Sequence, residues 1–282
     1  MLTVLDVIKK TTEFFATKGI ESPRLNAELL VGHALGLRRM QLYLNFERPL
    51  TAAELELIRP LVRRRGQREP VQYILGETDF AGLKLKVDRR ALIPRPETEY
   101  LVELLATRPD FSPGSILDLG TGSGALALGL ARHFANAAVT AVDASAEALA
   151  LARENAAACG LAERVTVLAS DWYAALPPGG QFDLIVANPP YLSAEETAAT
   201  LPEVHAHEPA QALTAAERGL ADLRVIIAGA PRFLRDGGLL ALETGIAHHD
   251  ELAKMAAAAG FGRTESRPDL TGRDRFFFAA RQ

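Results

Sequence analysis

Ile116-Leu117-Asp118-Leu119-Gly120-Thr121-Gly122-Ser123-Gly124 is the stretch on which the fold turns. It reads as a strand that runs into a glycine-rich turn and then into a helix over Ala125–Phe134. Gly120, Gly122 and Gly124 let the backbone turn tightly and let a ligand approach without Cβ clashes. Alone, three spaced glycines are a weak signal, because tight glycine turns are common. Their place directly after a strand is what makes a ligand loop the better reading, since open parallel sheets bind ligands at the carboxyl ends of their strands.

The sequence around this stretch alternates strand and helix. Strands are predicted at Ser115–Leu119, Ala138–Val142, Val165–Ala169, Phe182–Ala187 and Leu239–Glu243, with helices such as Ser145–Ala158 and Leu220–Leu234 between them. A late pair near Arg263–Pro268 and Arg275–Ala280 reads as antiparallel edge strands. The fold class is therefore α/β, a Rossmann-like, doubly wound and mainly parallel sheet. The polar stretch Ser193–Gly219 reads as a long functional loop. Upstream, residues 1–75 read as a small helical domain. Thr3 caps a first helix, Ser22-Pro23 opens a second, and Thr51 with Glu54 forms a capping box for a third, which Pro60 is expected to kink or break. Leu83-Lys84-Leu85-Lys86-Val87 alternates as a half-exposed strand does, so residues 76–97 are expected to form a hairpin-like linker, and residues 98–282 the α/β domain.

Asp143 ends the second predicted strand, where an acid can accept from both hydroxyls of a ribose. A helix-capping acid is the plainer alternative. The spacing suits a nicotinamide dinucleotide as well as S-adenosylmethionine. Asp118 favours the second, because a negative charge repels a pyrophosphate and suits an ammonium group. Asp171 and Trp172, after the third strand, add an acceptor for an adenine amino group and an indole to cover its face.

Asn188-Pro189-Pro190-Tyr191 follows the apolar run Leu184–Ala187. Two prolines stiffen the backbone and remove two N–H donors. What remains is a corner presenting acceptors, the Asn188 side-chain carbonyl and the Pro189 backbone carbonyl, to an NH2 group. Amide and exocyclic base nitrogens are poor nucleophiles, because their lone pairs are delocalised. Two acceptors aim such a nitrogen at a methyl donor, and Tyr191 stacks on its plane. The corner does not by itself separate an amide substrate from a base.

Composition narrows the partners. The formal net charge is −4 and the pI about 5.9, without the basic footprint of a protein that grips long nucleic acids. No direct nucleic-acid substrate is expected. The single cysteine, Cys159, excludes an intrachain disulfide, and no cysteine cluster points to zinc. His205, His207 and Glu208 lack a third strong ligand, so no metal is expected. The N-terminus lacks a signal-peptide pattern and no long apolar run spans a membrane, so a cytoplasmic location is expected. Arg63-Arg64-Arg65 with Arg68 is expected to be a solvated helix end.

Together these residues resemble class I methyltransferases, and more specifically the bacterial release factor glutamine methyltransferases of the HemK or PrmC family. Further matching segments are Pro70–Gly76, Leu92–Glu99, Ser170–Trp172, Glu208-Pro209, Leu242-Glu243 with Gly245, and Asp269-Leu270 with Gly272–Arg275. The resemblance implies transfer of a methyl group from S-adenosylmethionine to the glutamine of a Gly-Gly-Gln motif in class I peptide chain release factors, which the helical domain helps to bind. It implies that Gly120, Thr121, Gly122, Ser123, Gly124, Asp143, Asp171, Trp172 and Asn188 bind the cofactor. Asn188, Pro189, Pro190 and Tyr191 would hold the glutamine, with Asn188, Pro189 and Tyr191 catalytic. Arg95 and Thr98 lie beside the cofactor in less defined roles. The competing readings are a ribosomal-protein glutamine methyltransferase, an adenine-N6 nucleic-acid methyltransferase and a non-catalytic nucleoside-binding adaptor.

Overall fold

Capping chemistry opens the chain. In the computed structural model, which describes residues 1–177 and 181–282, Thr3 accepts from the Asp6 N–H while the Asp6 carboxylate accepts from the Thr3 N–H. This box starts α1 (Val4–Thr17). Helices α2 (Pro23–Leu35), α3 (Arg39–Leu44), α4 (Ala52–Gly66) and α5 (Val71–Leu75) follow, with Thr51 and Glu54 boxing the start of α4 as expected. Two expectations fail. Ser22 lies in left-handed backbone and makes no side-chain cap; instead the Asn26 amide donates to the Glu21 and Ser22 carbonyls. Helix α4 also does not break at Pro60, which lies inside it and has no N–H to offer the Glu56 carbonyl.

Met1–Gly76 and Leu201–His207 form one compact unit, and Glu77–Thr200 with Glu208–Gln282 form another. The first is built around Val4, Ile8, Phe15, Leu30, Val31, Leu42 and Ile58. Its returning segment is held by Glu203, which accepts from Arg65 Nη2 at 2.8 Å and Arg68 Nη2 at 2.6 Å. Arg65 is buried and also donates to Asn26, while Arg64 pairs with Glu69. The arginine run is thus largely internal to this unit, not a solvated helix end, because Glu203 and Glu69 supply the counter-charges.

The second unit opens with strands β1 (Glu77–Phe80) and β2 (Leu83–Lys86). Ala81 and Gly82 both have positive φ, the two-residue turn that matches strand twist. Phe80, Leu83 and Leu85 lie in the core of this unit. Helix α6 (Pro96–Ala106) leads to β3 (Ser115–Leu119), α7 (Ala125–His133), β4 (Ala138–Asp143), α8 (Ala146–Ala158), β5 (Val165–Ala169) and β6 (Phe182–Ala187). The expected long loop contains the short helices α9 (Ala194–Ala198), α10 (Pro202–His205, in the returning segment) and α11 (Ala216–Gly219). Then come α12 (Ala221–Gly229), β7 (Leu234–Glu243), α13 (His249–Ala258), β8 (Phe261–Pro268) and β9 (Asp274–Arg281).

The sheet order is β5-β4-β3-β6-β7-β9-β8. Strands β3 to β7 pair in parallel and β9 is antiparallel to both β7 and β8. The chain reverses its direction of travel between β3 and β6, the switch point of a doubly wound sheet. Apolar side chains cover both faces, with Ile116, Leu184 and Ala241 on one and Leu117, Ile185 and Leu240 on the other. This is why the central strands read as continuous apolar runs.

Helix α12 stops short of the expected Leu234. A side chain at Gly229 would strike the Tyr173 ring, which stacks on Phe233, and Pro231 has no N–H to continue the helix. A 3-10 turn at Ala230–Arg232 follows, and β7 starts at Leu234, five residues before its expected start.

Candidate active site

A cavity of about 580 Å³ opens at the carboxyl ends of the parallel strands. The glycine loop between β3 and α7 forms its floor, with Asp143 after β4, Ser170–Trp172 after β5 and Asn188–Pro190 after β6 around it. Arg90–Arg95 and Pro209 complete the rim. Glu208 fixes that rim by accepting from the Ile93 N–H at 3.0 Å and from Arg95 Nη2.

The loop is held from beneath. Asp118 is fully buried and accepts from the Thr121 hydroxyl at 2.6 Å and the Ala127 N–H at 3.1 Å. Burial pushes its carboxyl up to about 7, the two hydrogen bonds opposing that rise. Asp118 lies beneath the residues that line the cavity and organises the loop through its Oδ2, while its Oδ1 is buried with no hydrogen-bond partner among the described residues. Asn155 donates to the Ser123 carbonyl and to the Lys86 carbonyl, and accepts from the Lys86 N–H, tying the loop to β2.

Asp143 is not the cap of α8; that is Ser145, whose hydroxyl accepts from the Ala148 N–H. Asp143 lines the cavity, and its oxygens accept from the Gly122 and Ser145 N–H groups at 2.8 Å each. Each carboxylate oxygen retains a second lone pair for a ligand. Gly120, at φ 70, leaves room for Trp172, whose ring lies 3.4 Å from where a Cβ would stand. Ser170 donates to the Trp172 carbonyl and accepts from the Ala175 N–H, which fixes the turn carrying Asp171 and Trp172. Asp222 lines the same wall and accepts from Trp172; burial and the charge of Asp171 raise its pKa.

The Asn188–Tyr191 corner stands opposite. The Asn188 Nδ2 donates to Thr98 Oγ1 at 3.0 Å, and the Thr98 hydroxyl donates to Glu243 Oε2 at 2.7 Å. The Tyr191 hydroxyl donates to Glu243 Oε1 at 3.1 Å. Glu243 is fully buried, which raises its pKa, with Thr98, Tyr191 and Arg275 opposing. The Arg275 guanidinium lies over the Tyr191 ring at 5.7 Å and donates to the Thr244 carbonyl. Gly219, at φ 87, packs on the Tyr191 carbonyl so closely that a Cβ there would collide with it.

Comparison with known proteins now bears on this geometry. Residues 6–76 match the PrmC N-terminal domain model and residues 96–257 the methyltransferase small domain model. The release factor glutamine methyltransferase of Chlorobaculum tepidum is 47% identical, over 92% of this chain and 90% of its own. That of Deinococcus radiodurans is 42% identical over 98% of both chains. The chain belongs to the release factor glutamine methyltransferase family. Among solved structures, the Thermus thermophilus 16S rRNA N2 G1207 methyltransferase, in complex with AdoMet and guanosine, aligns at TM-score 0.54 and 24% identity over 73% of this chain and 50% of that one. The human Mettl16 catalytic domain, with an RNA hairpin, aligns at TM-score 0.58 and 18% identity over 79% and 81%. At such identities these two speak for the fold alone.

The family's methyl donor is S-adenosylmethionine, and the cavity fits it. Glycines at positive φ bare the backbone of the floor, Asp143 offers acceptors to a ribose, and Asp171 and Trp172 form a wall for a flat base. Gly120, Thr121, Gly122 and Ser123 line the cavity; Gly124, at φ 85, instead packs against Leu128 and Ala152 and starts α7. Tyr191 is also absent from the lining, yet it is joined to Asn188 through Glu243 and Thr98. Sequence reasoning gave Thr98 no definite role and Glu243 none beyond a matching segment, and it passed over Asp222. The signal for Glu243 was faint: an acid closing an otherwise apolar strand, Leu239–Glu243. Among the described residues no group of three or more His, Cys, Asp and Glu could hold a metal ion, and no helix is long and apolar enough to cross a membrane.

Proposed function

We propose that this chain methylates the side-chain nitrogen of the glutamine in the Gly-Gly-Gln motif of class I release factors, that Asn188–Tyr191 hold that glutamine, and that Gly120–Ser123, Asp143, Asp171 and Trp172 hold the cofactor. The observation that carries the reading is the hydrogen-bonded direction of the Asn188 amide. The single hydroxyl hydrogen of Thr98 goes to Glu243, so Thr98 receives the Asn188 NH2 as an acceptor. Asn188 therefore turns its carbonyl, not its NH2, to a substrate.

When bound, S-adenosylmethionine supplies an electrophilic methyl group on a cationic sulfur. The chain's own part is orientation. Asn188 Oδ1 and the Pro189 carbonyl accept the two amide hydrogens and stop rotation of the poorly nucleophilic nitrogen. Arg275 covers one face of Tyr191, and stacking on the planar amide is the part we assign to its ring. The nitrogen becomes acidic as it is methylated, so its proton passes to an acceptor or to water without a strong base beforehand.

The helical unit is the part we assign to release factor docking. Met40 and Leu44 stand exposed, four residues apart on α3, and are available to an apolar partner surface. The acidic overall balance favours a protein over a nucleic-acid substrate, and the site of action is the cytoplasm. The test is incubation of the purified chain with S-adenosylmethionine and a class I release factor, followed by mass spectrometry of the tryptic peptides. A 14-dalton gain on the Gly-Gly-Gln glutamine is the expected result. No gain there, or a gain on another residue, overturns the substrate assignment.

A further inference from the structure

The Asn188 corner is not self-supporting. Its amide could sit either way round, because the carbonyl oxygen and the NH2 of an asparagine are nearly the same size. Something beyond the tetrapeptide must choose. The geometry points to Thr98 and Glu243 as positioning residues: by accepting from Thr98 and Tyr191 at once, Glu243 fixes the direction of the chain Asn188→Thr98→Glu243, and with it which end of the Asn188 amide meets the substrate. This deepens the reading of Asn188–Tyr191 as the substrate corner and rests on it.

The chemistry closes at each joint. Glu243 Oε2 and Oε1 each take a different hydroxyl, at 2.7 and 3.1 Å. A hydroxyl has one hydrogen, so once Thr98 has given it to Glu243 it can only accept. Its remaining partner, at 3.0 Å, must then be a donor, the Asn188 NH2. The same carboxylate anchors Tyr191 by its hydroxyl, so one buried group sets both the acceptor and the stacking ring. Thr98 projects from the first turn of α6 and Glu243 ends β7, so both sit on regular elements and not on loops. Both are buried.

The experiment compares Thr98→Val, Thr98→Ser, Glu243→Gln and Asn188→Ala in the full chain, with single-turnover methyl transfer to an intact release factor at saturating cofactor. Cofactor affinity and melting temperature are measured alongside. Thr98→Val keeps the shape and removes the hydroxyl; its transfer rate is expected to fall by about 30-fold, with cofactor affinity within about twofold. Thr98→Ser restores the hydroxyl and is expected within about threefold of the parent. Glu243→Gln offers one acceptor where two are needed, and should fall like Thr98→Val. Because Thr98 acts through Asn188, the double variant Thr98→Val/Asn188→Ala should be no slower than Asn188→Ala alone.

The outcomes separate the two layers. If Asn188→Ala transfers at nearly the parent rate, the corner itself is misread. If Asn188→Ala is crippled while Thr98→Val is near the parent, the corner stands and the positioning role falls. Equal losses in Thr98→Ser and Thr98→Val also overturn it, since the hydroxyl would then not matter. Should Thr98→Val not fold, Glu243→Gln and Thr98→Ser decide by the same criteria.

Discussion

The two sides of the cavity are built differently. The glycine loop is held mainly by partners nearer in the chain: Asp118 reaches Thr121 and Ala127, three and nine residues on, and Asp143 reaches Ser145 and back to Gly122, with Asn155 bonding the Ser123 carbonyl from 32 residues on. The Asn188–Tyr191 corner is held from farther away. Asn188 depends on Thr98, 90 residues earlier, and Tyr191 on Glu243, 52 residues later. A ligand loop can therefore be assembled by one strand–turn–helix unit and its neighbour, whereas orienting one amide recruits α6, β6 and the end of β7. The first arrangement tolerates small shifts, since a bound cofactor spreads its contacts. The second, on the role proposed for it, has one geometry that works, because it must align a nitrogen.

The hardest test of that contrast is Asn188→Ala. Removing one of the two acceptors should cost on the order of 3 kcal/mol in the transition state, a rate loss beyond about a hundredfold. Single-turnover transfer at saturating cofactor and release factor measures it. A loss confined to KM would mean that Asn188 serves binding only. Next in size is Gly219→Ala. Its Cβ would meet the Tyr191 carbonyl while the backbone is at φ 87. The corner must shift, and a displacement near 1 Å there should slow transfer by roughly 10- to 100-fold. Gly160→Ala is the control, with positive φ and open space around it; it should cost about 1–2 kcal/mol of stability and leave transfer unchanged.

On the cofactor side the effects should be gentler. Asp143→Ala removes an acceptor for the ribose and frees the Gly122 and Ser145 N–H groups. Losing hydrogen bonds to a charged acceptor costs roughly 1.5–3 kcal/mol, so calorimetry should show affinity for S-adenosylmethionine weakened by about tenfold or more. The rate at saturating cofactor should change little. An unchanged dissociation constant in a folded variant would leave Asp143 with its structural role alone.

The same contrast explains what the sequence disclosed. Glycines after an apolar strand, and Asn-Pro-Pro-Tyr after another, are local patterns, and the parallel sheet follows from their spacing. Support from a distance leaves no such trace. Thr98 stands in Arg95-Pro96-Glu97-Thr98 like any residue in a first helical turn, and Glu243 looks like a strand end. Arg65 and Arg68 read as solvent-facing until Glu203, 138 and 135 residues on, returns to them. Asp118 carries more than its place disclosed. Its charge beside the glycine turn read as suited to an ammonium group; its Oδ2 also turns inward, to Thr121 and Ala127, and holds the loop.

That inward turn gives the smallest expected effect on transfer and a clear one on stability. The Asp118 carboxyl is raised from its ordinary 3.8 to about 7 by burial. Between those values the unfolded chain has released a proton that the folded chain still holds. Stability contributed by this group is therefore present below about pH 4, falls as pH rises, and is lost above about 7, by up to about 1.4 kcal/mol per pH unit within the window. Asp118→Asn keeps an acceptor for Thr121 and Ala127 and cannot ionise, so its stability should lack this fall. Carboxylates such as Asp269, held down at about 2 chiefly by its bond from the Thr271 hydroxyl, pull the other way, but they are common to both proteins and cancel in the difference. Urea denaturation of the two proteins at pH 5, 6, 7 and 8 should show the variant gaining on the parent with each step and levelling off at the top. A constant difference across the series would mean that Asp118 is already ionised in the fold at pH 5, and the glycine loop would then rest on a charge and not on a neutral, buried acid.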